Sequence, residues 1–353
     1  MRTIFINLAI GAALIAPAAH AEKFTLRIGS GHPVGATVYV NEMSRFFVPE
    51  MVRRVKERTG HEVAFTEAYG GSVAKVNETL NAVELGLLDI GSYCMCFEQS
   101  RLLTHNFPYW VPFGPKNAVV AAKATRKVYD EFPGLTEVFE TKYGQKLIAV
   151  SGYDNYNLGT AFPWESLTDL KGKKVGAAGP NLPWLQGSGA SGVSSSLPDG
   201  YNGLKSGMYS GWIMFPSAYN SFKFYEPAPH YKLVNFGAVM VNAMTVNART
   251  WKKLPREVQE IMLEVAREYE VRQAESLDRN NKDALLELEK VAKVTTVSPA
   301  ARIEWATGLK DWPNQMAQEA KRTGLPAPAI VTAYLRHLKE AGVETPVPYE
   351  IKK

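Results

Sequence analysis

The chain has 353 residues, 46% of them hydrophobic and 21% charged, with a formal net charge of +5 and only two cysteines. That length exceeds what one compact core usually serves, so two lobes are expected, with apolar residues ample for both. Lysines and arginines are scattered rather than gathered in a stripe or interleaved with aromatics, which argues against nucleic acid as a partner.

At the N-terminus, Arg2 is followed by the largely apolar run Ile4 to Ala16, interrupted by Asn7, and then by Ala19-His20-Ala21. This is the pattern of a secretory signal with an A-x-A cleavage site, so residues 1–21 are expected to be removed and the mature chain to be exported. No later stretch reaches the roughly 18 uninterrupted apolar residues that a membrane span requires, so the mature protein is not expected to span a membrane. "FTLRIG" alternates as a strand, and "SGHPVGATVYV" leads into a helix running to Arg58, kinked at Pro49 and capped at Gly60. "EVAFTEA" is a second strand, followed by the turn Gly70-Gly71, a helix capped by Ser72 and ending at Gly86, and the strand "LLDIGSYC". Alternation of strand and helix predicts a mostly parallel sheet.

Further along, a helix from about Asn117 precedes "KLIAVSGY" and "LTDLKGKKVGAAG", with the change of lobe near Val150. "LKSGMYSGWIMFPSAY" and "GAVMVNAMTVN" supply the remaining strands. From Pro255, at a first helical position, Val258, Ile261, Met262, Val265 and Tyr269 keep helical spacing. Unbroken to Val291, that helix would be on the order of 50 Å long, enough to reach across two lobes. The cysteines stand in "SYCMCF"; side chains two apart on a strand point the same way without being placed for an unstrained disulfide, so none is expected. A CxC pair with no histidines nearby offers a metal only two ligands, and neither a metal nor a cofactor is expected.

In α/β sheets a ligand sits beyond the carboxyl ends of the strands. The candidates at those ends are Ser30, His32, Tyr69, Tyr93, Cys94, Tyr153 to Asn157 with Asn155 and Tyr156, Gly176 to Asn181, and Trp212 to Ser217 with Met214 and Phe215. They are rich in aromatics and amides and poor in charge. Trp184, Trp212 and Tyr156 arise from separate segments of one lobe, and their convergence points to a shared pocket. Two other motifs compete. "SVAK" (Ser72, Lys75), "YDN" and "KSG" match the order found in penicillin-recognising serine enzymes, although Ser72 also suits a helix cap and "KSG" a turn. "GSGASG", Gly187 to Gly192, matches a dinucleotide fingerprint by letters but follows no strand and reads as a loop.

The segments "ETLNAVELGLLDIGSY", "WVPFG", "LTDLKGKKVG", "NGLKSGMYSGW" with "KFYEPAPHY", and "VNARTWKKLPREVQEIM" cover nearly the whole mature chain in order. In these the chain resembles the solute-binding subunits of tripartite ATP-independent periplasmic (TRAP) transporters, a family often labelled C4-dicarboxylate-binding. The resemblance implies an α/β two-lobed clamshell, each lobe a mixed sheet flanked by helices, with a hinge of crossing strands and a long helix along both lobes. The expected lobes are 22–149 plus about 228–253, and about 150–227 plus 254–353. It also implies a periplasmic protein that is not an enzyme, whose closed form delivers a small ligand to a membrane permease. The same clamshell serves ATP-driven importers and sensory receptors, which remain alternatives.

Family members usually carry an Arg in the phrase "DLKG-x-K-x-R", a bidentate clamp for a substrate carboxylate. The matching position here is Gly176, and another Arg found in some acid-binding members falls at Tyr156. The Asp-Gly and polar residues usual near "SGWIMF" become Ser210-Gly211 and Trp212 to Phe215. The expectation is a cleft with Gly176 clearing space that Trp212, Met214 and Tyr156 line. Its ligand is then bulkier or less polar than a C4-dicarboxylate, such as an aromatic or branched acid. A carboxylate would be held by helix N-termini, backbone amides, Asn155, Asn157, Asn181, Ser30 or His32, and a neutral ligand stays open. Lys171, Lys173 and Lys174 read as solvated surface.

Overall fold

The computed structural model describes residues 21–353. All of the expected signal except Ala21 therefore lies outside the described residues. The first strand, β1 (Lys23–Gly29), leads through a loop to α1 (Val38–Glu42), a π-helical stretch Met43–Phe47, and α2 (Val48–Thr59), which ends at Gly60 in the left-handed conformation. The expected kink is thus a widened turn just ahead of Pro49: proline has no N–H to donate and crowds the preceding turn, so the irregularity collects on its N-terminal side. Next come β2 (Glu62–Ala68), α3 (Thr79–Leu85) and β3 (Ile90–Cys94). Ser72 does not cap α3. Residues 70–78 form an exposed loop before the helix begins at Thr79.

After α4 (Gln99–Leu102) and the 3₁₀ stretch Leu103–Trp110 follow α5 (Ala118–Glu131), with Asn117 accepting from the Val120 amide, and α6 (Gly134–Tyr143). The 16-residue β4 (Gln145–Thr160) comes next, longer than "KLIAVSGY" suggested. β5 (Lys174–Ala177), β6 (Ser191–Ser194), α7 (Leu197–Lys205), β7 (Gly211–Met214) and α8 (Pro216–Ser221) alternate before the 18-residue β8 (His230–Asn247). The chain closes with α9 (Ala248–Lys253), α10 (Arg256–Val291), β9 (Lys293–Thr296), α11 (Pro299–Gly308), α12 (Trp312–Ala320) and α13 (Ala327–Glu340).

The strand order is β2-β1-β3-β8-β4-β7-β5-β6, with β9 alongside β8. Parallel pairs lie at the flanks, β1 with β2 and β3, β5 with β6 and β7. The centre is antiparallel, because β4 and β8 run through the whole molecule in opposite directions, from Gln145 opposite Asn247 to Thr160 opposite His230. The far half of β8 pairs β3, while the far half of β4 pairs β7. These two strands are therefore shared by two smaller sheets, and their register is interrupted on either side of Val150 and again between Tyr153 and Leu158. At that interruption Asn155 donates to Asn235 (2.7 Å) and accepts from the Gly237 amide (3.0 Å), while Asn157 accepts from the Asn235 amide (2.9 Å). Asn235 and Gly237 both have positive φ, and at Gly237 a Cβ would approach Gly114 to about 3.1 Å, a tight contact on top of a backbone conformation that favours glycine.

Helix α10 spans 36 residues, roughly 54 Å at about 1.5 Å per residue. Its first half packs Val258, Ile261, Met262, Val265 and Tyr269 into a core with α2 and β1. Farther along, Asp278 accepts from the Ala118 and Val119 amides, capping α5, and Gln273 donates to the Gly152 carbonyl of β4. The C-terminal helices, which carried no motif, pack α13 on α5 and α12 on Leu103–Trp110. Among the described residues no helix is long and apolar enough to cross a membrane.

Cys94 and Cys96 form a disulfide, against expectation. The extended geometry assumed for "CMC" does not hold: the chain leaves β3 at Cys94 and tightens into a 3₁₀ turn, Met95–Phe97, which brings the two Cα atoms to 5.0 Å. That separation is within disulfide range.

Candidate ligand-binding site

Where the carboxyl ends of β1 and β3 face the middle of β4 and the carboxyl ends of β5 and β7, the molecule encloses a cavity of about 440 Å³. One wall comes from the loops after β1 and β2: Gly31, His32, Pro33, Gly70, Gly71 and Lys75. Cys96 and Phe97, from the turn after β3, adjoin it. Tyr109, Tyr153, Tyr156, Met214 and Phe215 form an aromatic and apolar floor, and Asn181, Ser195, Ser196, Leu197, Pro198 and Phe222 the far side. Among the described residues no arginine, aspartate or glutamate lines the cavity, and Lys75 is its single charged side chain.

The aromatic floor is rigid by mutual packing. Tyr153 stacks on Phe215 with centroids 5.3 Å apart, Tyr156 meets Phe215 edge-on at 5.1 Å, and the Tyr156 and Tyr109 hydroxyls pair at 3.0 Å. Burial pushes the Tyr109, Tyr153 and Tyr156 phenols well above their ordinary pKa, so all three are neutral. His32 is also neutral: burial drives it down to about 4, and its Nδ1 pairs with the Tyr39 hydroxyl at 2.9 Å. Tyr39 in turn pairs with Ser30 Oγ at 3.0 Å. Ser30 thus supports His32 from behind the wall.

Thr37 Oγ1, buried in the cavity lining, has no hydrogen-bond partner, and Asn181 departs further from this order of satisfied groups. It is 1% exposed, it lines the cavity, and neither its Oδ1 nor its Nδ2 has a hydrogen-bond partner. A buried amide left without partners costs about 1–3 kcal/mol per group, so such an amide facing a cavity marks where a ligand's polar group belongs. Asn155 and Asn157, two other amides expected at the site, are occupied in tying β4 to β8.

Several further candidates are placed elsewhere. Trp212 is fully buried in the sheet of β5 and β7, with its indole against Gly176. A Cβ on Gly176 would lie about 2.5 Å from Trp212 Cε3 and 3.1 Å from the Tyr209 ring, so the space cleared by the missing arginine is filled by Trp212 and holds no ligand. Trp184 lies under the floor, donating Nε1–H to the Tyr109 carbonyl (2.8 Å) and stacking on Phe236. Tyr93, on β3, is buried and donates to Gln145 at 3.1 Å. Tyr69 sits beside the Gly70-Gly71 turn, packed against the cores of both halves and outside the cavity lining. Cys94 is held in the disulfide, and its partner Cys96 reaches the wall. His32, Tyr153, Tyr156, Asn181, Met214 and Phe215 do come together there.

Sequence reasoning missed Tyr109 and Phe222, which follow no strand that the sequence announces, and Phe97, which the turn Met95–Phe97 after β3 carries to the wall. It also missed Ser195 to Pro198. The strand ahead of them, β6, begins within the glycine- and serine-rich "GSGASG" segment, which has no apolar alternation to reveal it. Among the described residues no group of His, Cys, Asp and Glu is arranged to hold a metal.

Two sub-sheets sharing a pair of crossing strands, with an enclosed cavity at the strand ends between them, define a two-lobed solute-binding protein. The chain belongs to the bacterial extracellular solute-binding proteins of family 7, whose family model matches residues 41–319. A curated solute-binding protein of Sulfitobacter sp. strain NAS-14.1 is 24% identical over 154 residues, a match covering 43% of this chain and 44% of that protein, less than half its length. Among solved structures, a TRAP periplasmic solute-binding protein of Bordetella bronchiseptica with bound (R)- and (S)-mandelate superposes with a TM-score of 0.77 at 18% identity, covering 90% of this chain and 99% of that one. One from Desulfovibrio salexigens gives 0.76 at 19% identity, covering 90% and 96%. An extracytoplasmic solute receptor of Bordetella pertussis binding pyroglutamic acid gives 0.72 at 18%, covering 88% and 99%. These likenesses establish the α/β clamshell fold.

Proposed function

We propose that the mature chain is a periplasmic receptor that closes its two lobes on a small organic acid with an aromatic or branched apolar body and presents it to a TRAP-type permease, without covalent chemistry. The supporting observation is the buried, unpartnered Asn181 amide in a cavity with an aromatic floor and a single charged residue in its lining. Cavities of about 300–1,000 Å³ with apolar walls and few polar groups suit small organic ligands. The structural neighbours support an organic acid, since their bound ligands include mandelate, pyroglutamic acid and galacturonate. The moving parts divide near Val150 in β4 and within β8, where the paired register is interrupted. Ligand contacts drive closure only by favouring the closed state over the open one.

The test is a native mass spectrum of the purified mature protein for a retained ligand, then a thermal-shift screen of aromatic acids, branched 2-oxo acids and C4-dicarboxylates. Stabilisation by aromatic or branched acids supports the proposal. Stabilisation by succinate or malate alone would overturn the assigned ligand body, and no shift with any acid, with no ligand retained, would overturn the receptor function.

A further inference from the structure

We propose that the ligand is an aromatic monocarboxylate whose ring bears one hydroxyl or amide substituent, with Lys75 meeting the carboxylate at the cavity mouth and Asn181 meeting the substituent inside. The assignment rests on the receptor function proposed above and adds to it a charge, a polarity and an orientation.

The cavity has a polar axis set by burial. Lys75 is exposed, on the loop between β2 and α3, yet it lines the cavity, whereas Asn181 is buried on the opposite lobe. The lysine ion pairs of the described residues involve Lys56, Lys127, Lys146, Lys232 and Lys290, not Lys75. Glu78, the nearest acid in its loop, accepts from the Lys75 backbone amide at 3.0 Å. Lys75 is therefore the one cationic residue in the cavity lining. Between mouth and interior the wall is neutral: the phenols are protonated and His32 is uncharged. A second carboxylate would have to be buried there without a countercharge, which is strongly unfavourable.

Asn181 specifies the chemistry of the inner group. Its Nδ2 offers donors and its Oδ1 needs one. A carboxylate only accepts, so placing one there would leave Oδ1 unsatisfied and facing further lone pairs. A hydroxyl or a primary amide both donates and accepts, and satisfies both atoms. Between the two anchors lie the Tyr153, Tyr156, Phe215 and Phe97 rings, which suit the faces and edges of an aromatic ring.

The probes are 4-hydroxybenzoate and 4-hydroxyphenylacetate, of two lengths, compared by calorimetry with benzoate, terephthalate and 4-hydroxybenzamide on the full mature protein. At least one hydroxy acid is expected to bind, with affinity falling as salt rises. Benzoate and 4-hydroxybenzamide should each bind roughly tenfold more weakly, and terephthalate more weakly still. Lys75→Gln should weaken the hydroxy acid about tenfold and flatten its salt dependence with no change in melting temperature. Asn181→Ala should abolish the preference for 4-hydroxybenzoate over benzoate, and circular dichroism and melting of both variants check that they fold. Equal binding of terephthalate, or an unchanged salt dependence in Lys75→Gln, would overturn the single-charge assignment. A preference for benzoate over 4-hydroxybenzoate in the wild type would overturn the role given to Asn181. If no probe binds while the native mass spectrum shows a retained aliphatic acid, the aromatic assignment fails and the receptor function stands.

Discussion

At the residue scale, the pair Gly176 and Trp212 shows how a correct observation led to a different place. The sequence shows a glycine where the family usually has arginine, but not which face of the strand Trp212 takes. β7 is buried on both faces, so it has no polar alternation to tell the two sides apart. Trp212→Ala is therefore expected to destabilise the fold by about 3–5 kcal/mol, read as a fall in the urea midpoint, because it empties a fully buried site. Gly176→Ala should cost about 1–3 kcal/mol by overpacking against the same indole. Ligand affinity reduced in Trp212→Ala with stability intact would return Trp212 to the cavity wall. His32 and Asn181 were legible because each follows a strand end directly. Which amide of Asn155, Asn157 and Asn181 faces the cavity was not, since that depends on backbone partners distant in sequence. His32 also sets a pH dependence. With its folded pKa lowered from 6.5 to about 4 by burial, the unfolded chain binds more protons between those values, so stability rises with pH through that window. His105, buried and likewise lowered to about 4, adds to it. Both contributions are complete above about pH 6.5, and each is lost by roughly 2 kcal/mol between pH 7 and pH 5. Urea midpoints should fall accordingly in the wild type and less steeply in His32→Gln; parallel slopes would refute the assignment.

At the element scale, strands and helices with strong periodicity were legible: β1, β2, β3, α5 and α10 fall close to where apolar spacing, caps and glycine stops put them. What was hidden is set by context. The length of β4 depends on its partner β8, and the turn after β3 depends on the disulfide that closes it. That disulfide joins residues only two apart, so it removes little freedom from the unfolded chain. A loop this short is worth about 1–2 kcal/mol on the chain-entropy account, against about 3 for a 15-residue loop. Its larger effect is local, because the Met95–Phe97 turn sets Phe97 beside His32, with ring centroids 6.5 Å apart. The double variant Cys94→Ser, Cys96→Ser is expected to lose only a few degrees of melting temperature while losing more in ligand affinity. A large drop in melting temperature with affinity unchanged would make the bond a global staple instead.

At the scale of the whole molecule, the two halves are joined by covalently continuous strands and by one long helix, and these constrain how the cavity can open. β4 and β8 form a two-stranded ribbon between the sub-sheets, and its irregular segment, Tyr153 to Leu158, contains Tyr153 and Tyr156 of the cavity floor. Bending there would move the loops after β1 and β2 away from those after β5 and β6 while leaving each sub-sheet intact, the geometry that hinge motion requires. Helix α10 reaches both sides, through Arg54 to Glu264 and Glu268 at α2 and by packing on α8, which follows β7, so it restricts the direction of opening. Ligand and hinge are then coupled: an acid that contacts Lys75 on one side and Asn181 on the other bridges the halves and favours the closed state. The acid recovered from the native protein, at about a hundred times its dissociation constant, should stabilise the fold by roughly 2.7 kcal/mol. It should also reduce the radius of gyration measured by small-angle scattering. In Asn181→Ala at saturating ligand, the compaction should be smaller, because one half loses its contact. Full stabilisation with no change in the scattering curve would mean that the ligand binds within one half and that the hinge plays no part in capture.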